Sequence, residues 1–386
     1  MNCFSILNNR RGVSSLALIA FIVIVLLMFA FPVYIESPYA RHIMVLLFLS
    51  IIMGESWNLI GGYAGQYSVG HAAYFGAGAY GTLIVMNASQ FDSDKLLELQ
   101  ELAKNSRLSS LMLSAHDLHP WSGIFVGMIA ALILSLIIGS ICFRLRGPYF
   151  VLASIAVAEI VRITVLNLAG ITQGAEGILI STLPPFTIGS RVITDFSNKV
   201  PFYYIGLLLA LFTILVTWMV QNSKLGYFIQ AIREDQDAAH SLGISLAFYK
   251  NSALAISAVL TSLAGSFYAI YIKFVDPTTV LSLDLSVQIV LISIIGGIGT
   301  IFGPVVGALV LVPLSEALRS NMIGESLISS GMVSADSAFG NFLMENLSHA
   351  HVLIYGILVV VVILFMPDGV LGFFKALSAK KRKEAA

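Results

Sequence analysis

The chain has 386 residues, of which 58% are hydrophobic and 11% charged, with a mean hydropathy of +0.90. Soluble domains carry about 25% charged residues, so an ordinary globular surface is excluded and the chain reads as a polytopic membrane protein. The 21 basic residues balance the 21 acidic ones, so no global field attracts nucleic acid. Cys3 and Cys142 have no metal-ligand spacing, and no G-x-x-x-x-G-K-[ST] loop is present, which excludes P-loop ATP hydrolysis by this chain itself.

A bilayer core needs about 20 apolar residues per helix. The first such run, 14–34, follows Arg10 and Arg11. It reads as an uncleaved anchor; a cleavable signal peptide is the alternative, but no A-x-A site follows it. Further spans are expected at 42–60, 69–87, 122–143, 148–168, 202–220, 251–272 and 350–366. The stretch 285–317 is too long for one span and is interrupted by Gly296, Gly297, Gly299, Gly303 and Pro304. It reads as two short spans meeting near Gly299, or a re-entrant hairpin. The expected fold is therefore an all-α transmembrane bundle of about ten spans, some of them glycine-broken.

Ten spans put both termini on one side. That side collects Arg10, Arg11, Arg144, Arg146, Lys224, Arg233, Lys250, Lys375, Lys380, Lys381, Arg382 and Lys383 against Glu234, Asp235, Asp237, Asp368 and Glu384. The excess of positive charge makes it the cytoplasmic side. The expected organisation is a cytoplasmic tail 1–13, a membrane domain 14–372 and a basic cytoplasmic tail 373–386. Loops 88–121, 169–201 and 318–349 face outward. In the first of these, Leu96, Leu99 and Leu102 recur at helical spacing among charges, the pattern of a surface amphipathic helix.

The inward loop 221–250 contains IQAIREDQDAAHSLG at 229–243, which reads as one polar helix closed by Gly243. A solvated connecting loop is the plain alternative. Asp237, Ala238, Ala239 and, after three residues, Gly243 resemble the E-A-A-x-x-x-G signature of ABC importer permeases, with Asp in place of Glu. That resemblance implies a coupling helix docking in a groove of an ATPase subunit, with Arg233, Glu234 and Asp235 as its charged rim.

Elsewhere, WNLIGGYAGQYSVGHAAYFGAGAY at 57–80 holds six glycines between Gly61 and Gly78. Gly61, Gly62, Gly65 and Gly70 in this half, and Gly296, Gly297, Gly299 and Gly303 in the other, mark either a midplane pathway between repeats or close helix packing. Gly61–Gly65 and Gly299–Gly303–Gly307 have small-x-x-x-small spacing. Glu159 and Arg162, three apart, are placed to pair or to serve a proton relay. Glu55, near Trp57 and Asn58, reads as a buried polar contact. His71 follows Ser68 by three residues, a weak hint of a nucleophile and base with no carboxylate to orient it.

The 57–80 segment, RLRGPYFVLASIAVAEIVRI at 144–163, IREDQDAAHSLGI at 232–244, IGGIGTIFGPVVGA at 295–308 and LIYGILVVVVILFMPDGVLG at 353–372 together resemble the longer permease subunit of branched-chain amino acid ABC importers. Gln288 and Asp368 depart from residue types common there. The resemblance implies a bacterial inner-membrane permease that is not itself an enzyme. It also implies a second homologous permease, two P-loop ATPases holding ATP and Mg, and a periplasmic binding protein. The competing reading is an ion-gradient-driven transporter or channel for a small polar solute, using Glu55, Glu159 and Arg162.

Overall fold

The computed structural model describes residues 15–91, 107–145, 147–183, 186–188, 191–194, 196, 198–319, 356–357, 360, 364 and 369–372. Helices α1 (Ser15–Tyr34), α2 (Pro38–Asn58), α3 (His71–Ala88), α4 (Arg107–His116), α5 (Gly123–Cys142) and α6 (Pro148–Asn167) come first. They are followed by α7 (Val200–Gln221), α8 (Lys224–Glu234), α9 (Gln236–Ser241), α10 (Leu246–Ile272), α11 (Leu283–Gly296) and α12 (Gly303–Arg319). Six stretches are long and apolar enough to cross a bilayer: Pro38–Tyr63, Pro120–Cys142, Pro148–Asn167, Val200–Gln221, Leu246–Ile272 and Pro277–Gly296. With α1, α3 and α12, nine of the expected spans have a helix among the described residues. The tenth, 350–366, lies outside them apart from four helical positions, as do the tails, the leucine-patterned 92–106 and most of loop 318–349.

Helix α3 is too rich in glycine, alanine and polar residues to face lipid, and the bundle does not ask it to. It packs against α10 and α5, and His71, Tyr74, Phe75, Thr82, Leu83 and Met86 are all buried. Inside a membrane, apolar transfer does not drive helices together, because lipid tails are as apolar as leucine; close backbone approach does. Here the backbones touch. A Cβ on Gly78 would lie 1.9 Å from the Ser262 carbonyl, one on Gly265 1.9 Å from the Phe75 carbonyl, and one on Gly81 2.5 Å from Gly127 Cα. The Ser266 hydroxyl donates across the same crossing to the Gly78 carbonyl at 3.1 Å.

Around this centre α2 packs along α7, α12 and α10, with Phe48, Ile52, Tyr203, Leu207, Phe267 and Ile289 in the main core. A smaller cluster of Leu59, Ile60, Tyr63, Tyr74, Phe150 and Ile229 ties the end of α2 to α8. Helices α11 and α12 form the expected glycine-broken pair. Gly296 faces Gly303, and Gly307 packs on the Ile292 carbonyl, so the two helices run antiparallel around the turn 297–302.

The helical bundle carries a few short strands as well. β1 (Ile178–Leu179) pairs antiparallel with β4 (Phe274–Val275), and β2 (Phe186–Ile188) with β3 (Arg191–Thr194). In loop 169–201, beyond the helical turn Ala169–Thr172, backbone groups pair in these short ladders. Next to β4, Asp276 caps the turn Pro277–Val280, its Oδ2 accepting from the backbone N–H groups of Thr278 and Thr279 at 3.1 Å each. Burial alone would raise its carboxyl; the hydrogen bonds from Thr278 and Thr279 outweigh that and hold it below the ordinary value.

Candidate functional site

The helix expected over 229–243 is two helices. α8 starts at the Ser223 cap, whose hydroxyl accepts from Gly226 N–H at 3.3 Å, and buries Gly226, Ile229 and Ile232 at three-residue spacing. It stops at Asp235, which takes an extended conformation with φ −153° and ψ 117°. The cause is local. Asp235 turns its carboxylate onto the next helix, accepting from Asp237 N–H at 2.8 Å and Ala238 N–H at 3.0 Å, so it is the N-cap of α9 as well as an exposed charge.

At the other end of α9, Gly243 N–H donates to the His240 carbonyl at 2.9 Å and Ile244 N–H to the Ala239 carbonyl at 3.1 Å. This is the Schellman closure, which places the residue after the helix in the left-handed region; Gly243 has φ +84°. Ala239 is the seated residue of α9, while Asp237, Ala238, His240 and Leu242 are exposed, Leu242 to 82%. Glu234 is exposed as well. Buried Lys250 on α10 donates to Gln236 Oε1 at 2.9 Å and fixes the start of α9. A cavity of about 670 Å³ opens beside it, lined by Phe143, Arg144, Gln236, His240, Gly243 and Lys250 among others. The result is a short, doubly capped helix presented on a firm base.

Arg233, exposed like its neighbours, also reaches back into the bundle. Its Nη1 donates to the Gly62 carbonyl at 2.8 Å. Gly62 follows the point where α2 changes to a π turn, Leu59–Tyr63, so the arginine reaches the first glycine break. The second break is at the same place. Asn58, wholly buried, accepts from Gly299 N–H at 2.8 Å and donates to the Thr300 carbonyl at 2.9 Å. Gly369, beyond the tenth expected span, also packs against Gly297, where its Cβ would come within 2.7 Å.

Of the glycines singled out from sequence, Gly65 and Gly299 adjoin Arg233, Gly62 adjoins Gly299, and Gly296, Gly297 and Gly303 pack on one another between α11 and α12. Gly61 lies under the Trp57 ring, where a Cβ would come within 2.3 Å, and Gly65 faces Arg233 in the loop, so the Gly61–Gly65 spacing is not a helix–helix ridge. Gly70 abuts the Ser154 carbonyl. Gly297 N–H closes α11 on the Ser293 carbonyl at 3.0 Å. Asn58→Ala is expected to cost about 1–3 kcal/mol, since it strands one donor and one acceptor at half-buried positions. A lowered unfolding midpoint of the purified chain in detergent measures this; an unchanged midpoint contradicts the clamp.

Other expected residues separate. Glu159 and Arg162 form a two-pronged ion pair that stands partly exposed on α6 rather than within the bundle. Glu55 is enclosed beside Thr217 but without a hydrogen bond of good geometry. No hydrogen bond among the described residues links it to the Glu159–Arg162 pair. His71 Nε2 pairs with the Ser257 hydroxyl at 2.9 Å, and Ser257 in turn donates to the Ser56 carbonyl at 2.6 Å. Ser68 instead accepts from Gly70 N–H, so no Ser68–His71 pair exists. Toward the opposite end a second cavity of about 670 Å³ is lined by Ser50, Phe75, Tyr268, Asp284, Gln288 and Glu316 among others.

Residues 39–363 match the family described as "Branched-chain amino acid transport system / permease component". The chain is 27% identical over 318 residues to the high-affinity branched-chain amino acid transport system permease protein LivM of Escherichia coli (strain K12), covering 77% of this chain and 68% of that protein. It is 26% identical over 306 residues to LivM of Salmonella typhimurium, covering 74% and 65%. A shorter likeness, 30% over 118 residues, joins it to the autoinducer 2 import system permease protein LsrC of Yersinia pseudotuberculosis, covering 30% and 34%. The chain spans about two thirds of the length of the two LivM relatives. No solved structure matches it.

Proposed function

The chain belongs to the branched-chain amino acid transport permease family, a family of multi-pass membrane transport subunits, and we propose that it is one permease of an ATP-driven importer of branched-chain or related hydrophobic amino acids. In this reading it lies in a bacterial inner membrane with both termini cytoplasmic. It pairs with a second, homologous permease, receives substrate from a periplasmic binding protein and docks on two cytoplasmic P-loop ATPases that hold ATP and Mg. The carrying observation is α9, capped by Asp235 and closed at Gly243, which seats Ala239 and presents Asp237, Ala238 and Leu242.

Mechanistically, a partner that grips α9 differently in its ATP-bound and nucleotide-free forms shifts the bundle between two packings by its differential affinity for them. The firm attachment of α9 through Gln236–Lys250 supports force transmission rather than local flexing. The surplus of basic residues on this side supports the cytoplasmic assignment.

The test is purification of the tagged chain from its host in mild detergent, with mass spectrometry of what accompanies it. Recovery of P-loop ATPases and a second permease is the expected result. Recovery of the chain alone, even after cross-linking through residue 237, overturns the reading.

A further inference from the structure

We propose that Arg233 is a positioning residue that carries movement of the α8–α9 elbow to both glycine breaks of the bundle at once. This rests on the importer reading above. Arg233 is the penultimate residue of α8 and stands two residues before Asp235, where the chain bends into α9. Its stem lies on Gly65, where a Cβ would come within 2.9 Å of Arg233 Cγ. Its Nη1 holds the Gly62 carbonyl at 2.8 Å and occupies the space left by the missing side chain of Gly299, where a Cβ would come within 2.6 Å of it. Gly299 has φ +72°, so that turn is built around a residue with no side chain, and the guanidinium fills the gap.

The two breaks are also joined directly. Asn58 clamps Gly299 and Thr300, and a Cβ on Gly62 would come within 2.7 Å of Gly299 N. Gly62 and Gly299 therefore cannot slide past one another independently, and Arg233 touches both from the elbow side. Arginine suits this position because its planar fork offers several donors from one rigid end. A displacement of α9 reaches α8 through the Asp235 bend, and from there meets the ends of α2 and α11 through one side chain. Arg233 is exposed on its remaining face, so the elbow stays accessible to a docking subunit. The alternative, a charge contacting the ATPase, predicts weaker docking instead of weaker coupling.

The experiment uses the whole complex in proteoliposomes, with radiolabelled leucine as the probe, and reads uptake per ATP hydrolysed. Arg233→Met keeps the stem over Gly65 and removes every donor; it is expected to lower that ratio about tenfold, within the range of typical coupling energies, while the ATPases still co-purify. Arg233→Lys, with one reachable donor, should recover part of the loss. An unchanged ratio in Arg233→Met overturns the proposal, as does loss of co-purifying ATPase with a normal ratio in the complexes that remain. If Arg233→Met fails to accumulate, Arg233→Gln, too short to reach the Gly62 carbonyl, carries the same two outcomes. Failure of the importer reading looks different: the wild-type chain then brings no ATPase with it.

Discussion

Gly265→Val is expected to destabilise the folded chain by about 3 kcal/mol, a large share of its stability. The argument is steric and local. Any Cβ at Gly265 would stand 1.9 Å from the Phe75 carbonyl oxygen, and the reciprocal position, Gly78, meets the Ser262 carbonyl at the same distance. These are backbone atoms of two helices, not the ends of side chains that can swing aside, so α3 and α10 must separate. Separation also breaks the Ser266–Gly78 bond and opens the crossing with α5 at Gly81 and Gly127. Inserting methyl groups into a packed core costs about 1–3 kcal/mol; with rigid partners on both sides the upper end applies, a fall of roughly 100-fold in the folded-to-unfolded ratio. Gly170→Ala is the control, because nothing lies within 4 Å of a Cβ there, and its effect should stay within about 0.5 kcal/mol. Unfolding midpoints in detergent and the monodisperse yield of the three chains decide the matter. Equal midpoints for Gly265→Val and wild type would show that the crossing is not backbone-tight.

The same glycines mark how far the sequence carries. Spans with strong hydropathy were legible because length and apolarity alone define them. Helix α3 was legible for another reason, since its glycine and alanine content marks a helix buried by other helices. The family resemblance, spread over five motifs, is upheld by the match across residues 39–363. Periodicity did not reveal which way residues point within IREDQDAAHSLG. One continuous helix was expected, and on such a helix Arg233, Glu234 and Asp235 read alike as rim charges. All three are exposed, but the bend at Asp235 gives them different work: Asp235 caps α9, Arg233 reaches back to Gly62, and Glu234 is left without such a contact among the described hydrogen bonds. An aspartate with a second acidic residue, Asp237, in the turn that follows it is an N-cap signal, so the bend was readable in principle. Arg233's partner was not, because Gly62 lies 171 positions away and offers only a carbonyl. The joining of the two glycine breaks was likewise hidden. Each break is a local pattern, and the clamp uniting them is a single asparagine whose neighbours, Glu55 and Trp57, draw more attention.

The second large effect is expected at Gly243, and there stability and transport should part company. No atom lies within 4 Å of a Cβ at this position, so a substitution meets no wall inside the chain. What it meets is the backbone: Gly243 sits at φ +84°, where an L-residue pays about 1–2 kcal/mol and a β-branched one more. The Schellman bonds from Gly243 and Ile244 to His240 and Ala239 need that conformation, so Gly243→Val should unwind the end of α9 and displace Leu242 and Ala239. No atom within 4 Å of the new Cβ is pushed aside, so the chain should still insert, and its stability should fall by no more than this local cost. Leucine uptake should fall more than tenfold if α9 is the coupling element, because its presented face no longer matches the partner. Gly243→Asn separates the two causes, since asparagine tolerates the left-handed region; it should retain most of the uptake that valine abolishes. Normal uptake by Gly243→Val would remove α9 from the coupling path. Loss with asparagine as severe as with valine would mean that the partner needs the bare surface of the glycine itself, not the turn it permits.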